Sequence, residues 1–239
     1  VQLGDSHTES DEFSGRMRRR IAQQWGAGGR GFVPVAGGAS GVRRTPGGPV
    51  GLTARAFEDE AAGLPARRFA FSLVTRVLDQ RVTLDEASEA LAAVAARMPP
   101  RDAAFARAIA YGALRHKGAL EKLLGRYIKQ PLPAHGLAAA RVLLCGAAEL
   151  MVLEGKSHAA VDGANRLAVA TREAKPFKPL INAVLRRVAA EGEAAWHMMD
   201  KPRADTPDWL WRRWCAAYGE ETAHAIAAAH GRPAPLDLT

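Results

Sequence analysis

An all-α fold, a bundle of about seven helices, is predicted from three observations. The chain is 48% hydrophobic but only 6% aromatic, and Ala and Leu favour helix over sheet. From Pro65 onward apolar residues recur at helical spacing, first as Phe69, Leu73 and Val77 flanked by Ala70, Val74 and Leu78. The connectors between these runs are short and carry Gly or Pro, as in Pro99-Pro100 and Pro131-Leu132-Pro133.

The elements follow in order. The first apolar stripe predicts a helix over about 66–81. Thr83-Leu84-Asp85-Glu86 is a capping box, in which Thr83 accepts from a free amide and Glu86 reaches back; it opens a helix to about Arg97. Pro99-Pro100 ends that helix and starts the next, because Pro suits a first turn. Phe105, Ile109 and Leu114 mark its buried side. Gly118 stands near a break, and Leu120, Leu123, Leu124 and Ile128 form another stripe. The run 137–153 is apolar almost all round and belongs at the centre of the bundle. Ser157 is a candidate N-cap for 158–172, and 177–190 closes the bundle through Leu180, Ile181, Val184, Leu185 and Val188.

Three segments result. Residues 1–64 contain 13 of the 23 glycines and no apolar periodicity; they read as a disordered Gly/Arg/Pro-rich extension, with Arg16 and Arg18-Arg19-Arg20 either a solvated tail or an aid to RNA binding. The chain starts with Val, and one hypothesis is a misassigned gene start that contributes part of this tail; an intact mass of the native protein that includes the full tail would sink it. Residues 65–192 form the helical domain. Residues 193–239 read as a short helical connector, with Thr206 a cap and Pro207 a first-turn residue for a helix carrying Trp211 and Trp214, and a last helix over about 220–230.

Charge is concentrated in the middle. The formal net charge is +8 overall, whereas 65–192 holds 20 basic and 11 acidic residues. That imbalance points to an anionic partner, nucleic acid before membrane, and no hydrophobic run approaches the roughly 18 residues that a membrane span needs. The two cysteines, Cys145 and Cys215, lie far apart within helical stretches, which fits neither a disulfide framework nor a metal site. The N-terminus has no apolar signal-peptide core, and a cytoplasmic location is expected.

Six segments in order carry a resemblance. They are Ala66-Arg67 through Val77-Leu78, Leu84-Asp85-Glu86-Ala87, Arg101-Asp102 through Arg115, Leu143-Leu144-Cys145-Gly146-Ala147-Ala148-Glu149-Leu150, His158-Ala159-Ala160-Val161-Asp162 and Asn182-Ala183-Val184-Leu185-Arg186-Arg187. Together they resemble the NusB-like domain that opens the RsmB/Sun family of 16S ribosomal RNA (cytosine-5)-methyltransferases. Pro207-Asp208-Trp209-Leu210 with Tyr218-Gly219-Glu220-Glu221 resembles that family's link to its catalytic half. The resemblance implies a NusB-like bundle that binds small-subunit ribosomal RNA and positions it. In the full-length family it also implies a Rossmann-like domain that binds S-adenosylmethionine and carries two Pro-Cys motifs. None of the catalytic motifs is present: Cys145 sits in an apolar helix, Cys215 follows Trp214 rather than Pro, and no Gly-rich turn follows a strand pattern. No catalytic residue, cofactor or metal is therefore assigned to this chain, which is expected to be a fragment lacking the methyltransferase domain and inactive alone.

The candidate RNA-binding residues are Arg67, Arg68, Arg115, Lys117, Lys122, Arg126, Lys129, Lys178, Arg186 and Arg187. Lys122, Arg126 and Lys129 are spaced i, i+4, i+7 along one helical face. Arg offers a bidentate grip on phosphate and Lys a point charge. Arg115, Lys117, Lys122, Arg126, Arg186 and Arg187 are expected to converge on one surface. Asp102, Asp162 and Asn182 read as structural, His158 as packed or capping, and the Trp209, Trp211, Trp214 and Tyr218 group as packing against a further domain or stacking on bases. Two other functions compete: a stand-alone NusB-like regulator of transcription antitermination, and a helical protein-interaction module whose basicity is incidental.

Overall fold

The computed structural model describes residues 63–232, all within one compact unit. The expected disordered extension, apart from Gly63 and Leu64, and its Arg16–Arg20 cluster lie outside the described residues, as does the closing Pro233–Thr239 segment.

Among the described residues every regular element is helical. In chain order these are α1 (Gly63–Asp79), α2 (Leu84–Ala90), α3 (Ala92–Ala95), α4 (Pro100–Arg115), α5 (Lys117–Gly125), α6 (Leu137–Met151), α7 (Ser157–Ala170), α8 (Lys178–Met198), α9 (Lys201–Asp205), α10 (Asp208–Tyr218) and α11 (Glu220–His230). Short 3-10 turns precede α6 and α8. The all-α bundle is as predicted.

Helix α6 is the hub and packs against α1, α4, α5, α7 and α8. Its residues Val142, Leu143, Leu144, Ala147 and Ala148 are buried, each large apolar side chain contributing roughly 1.5–3 kcal/mol over exposure. With its preceding turn, Ala134–Met151 is long and apolar enough by composition to cross a membrane, contrary to the expectation that no run approaches that length. Burial of most of that stretch inside the bundle accounts for its apolarity.

Local sequence explains most boundaries. The capping box is present: the Glu86 amide donates to Thr83 Oγ1 at 3.2 Å and the Thr83 amide donates to the Glu86 carboxylate at 2.8 Å. The bond from the Thr83 amide, and then one from the Thr83 hydroxyl at 3.0 Å, hold the Glu86 carboxyl below its usual range. Pro99 is the N-cap of α4 and Pro100 its first residue. Asp102 lies in that first turn, where a carboxylate suits the helix dipole.

Four boundaries differ from expectation. The helix expected over 84–97 breaks at Leu91, so that Ala87 on one segment and Ala95 and Met98 on the other both face the core. Ser157 is the first residue of α7 rather than its cap, and Lys156 takes the N-cap position without a side-chain bond. Helix α8 continues past Gly192 to Met198 and buries Trp196 in the main core. Thr206 closes α9 instead of capping α10; it is buried, and its hydroxyl donates to the Pro202 carbonyl at 2.8 Å. The N-cap of α10 is Pro207.

The C-terminal helices form a second, smaller core of Trp214, Ala223 and Ala227, closed by Leu210, Trp211, Cys215 and Ile226. They join the bundle through α9, which packs on both α5 and α11. Asp205 makes the joint: one carboxylate oxygen accepts from the Ala119 amide at 2.7 Å and the other meets His116 Nδ1 at 2.9 Å. A carboxylate from α9 thus satisfies a free amide in the first turn of α5. Gly118 permits this approach, because a Cβ there would overlap the Ala204 carbonyl oxygen.

Candidate nucleic-acid interface

The ten basic candidates divide by what their side chains touch. Arg67 is turned inward. Its guanidinium forms a forked pair with Glu149 of α6, through Nε at 2.9 Å and through a second, shorter bond from Nη2. Nη2 also donates to the Ala159 carbonyl at 3.3 Å, and the group lies over the Phe105 ring at 5.4 Å. The two side chains are only 12% and 4% exposed. Gly163 provides the seat, since a Cβ there would overlap the guanidinium. Arg67 therefore leaves the candidate surface: its charge neutralises the one carboxylate buried in the core helix, which would otherwise be strongly destabilising.

The other candidates are more accessible than Arg67. Arg68, Arg115, Lys122, Arg126, Lys129, Lys178, Arg186 and Arg187 are exposed, and Lys117 is half-buried. Helix α5 packs on α8. The Arg187 guanidinium of α8 lies over the ring of Tyr127 at 5.5 Å, the residue that follows Arg126 in sequence. Lys122 is one turn earlier on α5. The Ile128 amide still donates helically to Leu124 at 3.1 Å, so Lys122 and Arg126 share a face. Lys129 falls past that last helical bond, in the loop that Pro131 punctuates, and does not continue the i, i+4, i+7 row.

Arg115 ends α4 and is exposed two residues before Lys117 opens α5. Arg186 is exposed on α8 next to Arg187. Lys178 begins α8, roughly 12 Å along the axis from Arg186. Arg68 lies on α1, which packs on α4, α6 and α7. Lys117 pairs with Glu121 at 2.7 Å and Arg187 reaches Glu191 at 4.0 Å, both one turn apart. Such exposed pairs are worth under about 1 kcal/mol, so a phosphate competes with them readily.

Asp208 opens α10 and pairs with Arg203 of α9. The Asp208 carboxyl is held below its ordinary range first by its hydrogen bond from Arg203, with smaller pulls from Arg212 and Lys122.

Remaining motif residues have structural roles or plain surface positions. Asn165 donates through Nδ2 to Asn182 Oδ1 at 2.9 Å, tying α7 to α8. Asp162 pairs with Arg166 at 2.8 Å on the surface, and His158 is exposed. Burial and then nearby Glu149 push the Cys145 thiol up to about 12, so it has no thiolate to offer at neutral pH. Among the described residues no His, Cys, Asp and Glu cluster is close enough to hold a metal. Nor do these residues hold a strand-to-helix turn of the kind an S-adenosylmethionine site needs; the cofactor implied for the full-length family does not fit this region.

The profile of the NusB family matches residues 64–190, the span of α1 to most of α8. The chain is also similar to proteins named ribosomal RNA small subunit methyltransferase B. That of Xanthomonas campestris is 34% identical over 183 residues, covering 77% of this chain and 40% of the relative. That of Thermus thermophilus is 37% identical over 147 residues, covering 59% and 32%, and that of Xylella fastidiosa is 32% identical over 186, covering 74% and 39%. The chain therefore spans at most about two fifths of these relatives. A helical bundle centred on α6, matched over more than half of the chain's length, places the protein in the NusB family.

Proposed function

We propose that the bundle binds RNA through the face where α5 and the turn after it meet α8, and that it serves as the substrate-positioning part of an S-adenosylmethionine-dependent small-subunit ribosomal RNA (cytosine-5)-methyltransferase. The observation that carries this reading is the meeting of Arg187 with Tyr127 beside Arg126, one turn from Lys122. Cations carried by two packed helices then border one contact, held by core packing rather than by loop motion. Arg126 and Arg187 grip adjacent phosphates, Lys122 adds a point charge, and Arg115, Lys117 and Arg186 widen the field. The similarity to ribosomal RNA methyltransferases supports the choice of RNA. The residues described here do no methyl transfer themselves; they hold and orient the substrate for chemistry carried out elsewhere in the full-length family.

The test is charge reversal at the joint. Arg126→Glu with Arg187→Glu is expected to weaken binding to a small-subunit ribosomal RNA fragment at least tenfold. It should also flatten the plot of log affinity against log salt by roughly 1.4–1.8, since each lost phosphate contact removes about 0.7–0.9. Unchanged affinity and slope in a folded double variant would remove this face from the reading.

A further inference from the structure

The three tryptophans of α10 have three different surroundings. Trp214 is buried and meets His230 edge-on at 5.4 Å. Trp211 is covered by the Arg203 guanidinium at 5.0 Å and by the edge of His224 at 6.2 Å. Trp209 is 60% exposed. The second core is complete without it, built from Trp214, Ala223 and Ala227. An exposed ring of this kind offers a flat face on which a planar group can stack.

Its neighbours limit what that ligand is. Arg213 follows Trp209 by four residues and Arg212 by three, so both are within one helical turn of it. Both are exposed, and Arg212 is braced by an Nε bond to the Asp208 carbonyl at 3.3 Å. An exposed indole flanked by guanidinium groups suits an unpaired base with its neighbouring phosphates. A duplex keeps its bases stacked and offers the ring nothing. The position of α10 adds to this. Asp205 and the close approach at Gly118 fix α9 to the first turn of α5, and α10 begins three residues after Asp205. The indole, four residues from that anchor, is therefore held near the start of α5.

We propose that Trp209 is a stacking platform for an unpaired base of the RNA held by α5 and α8, with Arg212 and Arg213 on the flanking phosphates. This rests on the RNA-binding reading above and names the kind of RNA: one with unpaired bases beside a stem.

The experiment uses the full chain and two labelled RNAs of equal length, a stem-loop with unpaired bases and a fully paired duplex, with binding read by fluorescence anisotropy across a salt series. Trp209→Ala is expected to lower affinity for the stem-loop about tenfold, within the range for loss of one base–aromatic stack, and to leave duplex binding unchanged. The salt slope should stay the same, because stacking releases no counterions. Trp209→Phe, which retains an aromatic face, should recover most of the loss. Equal loss on both RNAs, or no loss on either, overturns the platform while leaving the phosphate grip standing. Failure of the unaltered protein to bind either RNA overturns the grip itself and the platform with it.

Discussion

Replacing Arg67 or Glu149 singly strands a charge in the bundle, because the pair is nearly buried and crosses from α1 to α6. Arg67→Met or Glu149→Leu is expected to lower stability by about 3–5 kcal/mol, and the double substitution by much less, as isolated buried charges cost more than a missing pair. Urea titration of the three variants checks this; equal losses for singles and double would contradict it. A second expectation concerns thiols. In the native protein Cys145 should resist a thiol reagent at pH 8, whereas in urea it should react at once, because burial keeps its thiol protonated. Fast modification in native buffer, measured on a Cys215→Ser background, would refute it. The turn inward of Arg67 was partly legible. Arg67, Ala70 and Val74 share a side of α1, and Ala70 and Val74 are buried, whereas Arg68 falls in line with Ser72, whose hydroxyl donates back to the Arg68 carbonyl at 2.9 Å. Glu149, the single carboxylate of α6 and buried there, also demanded a cation beside it. What the periodicity did not specify is which of two adjacent arginines, 82 residues away in sequence, would supply it.

At the scale of elements, the joint between α5 and α9 decides how the C-terminal helices are held. Gly118→Ala pushes against the Ala204 carbonyl, which is backbone and cannot swing aside. Asp205→Ala removes both the amide contact to α5 and the His116 pair. Either change is expected to raise protease cleavage around residues 199–207 several-fold while lowering the helix content and melting of the bundle far less, since this segment adds only the half-buried Met199 and Ala204 to the main core. Cooperative loss of the whole fold would contradict a separable joint. The helices of the bundle were readable because their apolar stripes run at helical period over three or four turns. The joint was not, because its determinants are sparse: one glycine near a break, one aspartate at the end of a five-residue helix, and Trp196 beyond the expected end of α8. The candidate surface was legible as a set of exposed cations. Its centre at Tyr127 was not, since a cation over a ring depends on how two helices pack rather than on spacing within either one.

Over the whole molecule the basic excess of 65–192 is the feature that the RNA-binding reading must explain. A bundle can carry such charge for solubility alone, in which case cations are spread without regard to one another. Here Arg187 of α8 lies over Tyr127, which follows Arg126 just past the end of α5, above a core that fixes both helices. Phosphate binding at such a face carries a thermodynamic signature, the release of counterions. The most direct test is therefore a salt titration of the unaltered protein against a small-subunit ribosomal RNA fragment, with affinity followed by anisotropy. Linear loss of log affinity with log salt, at a slope of roughly −2 to −5 for three to six phosphate contacts, is the predicted result. Affinity that does not change with salt, or no binding at low salt, would contradict it.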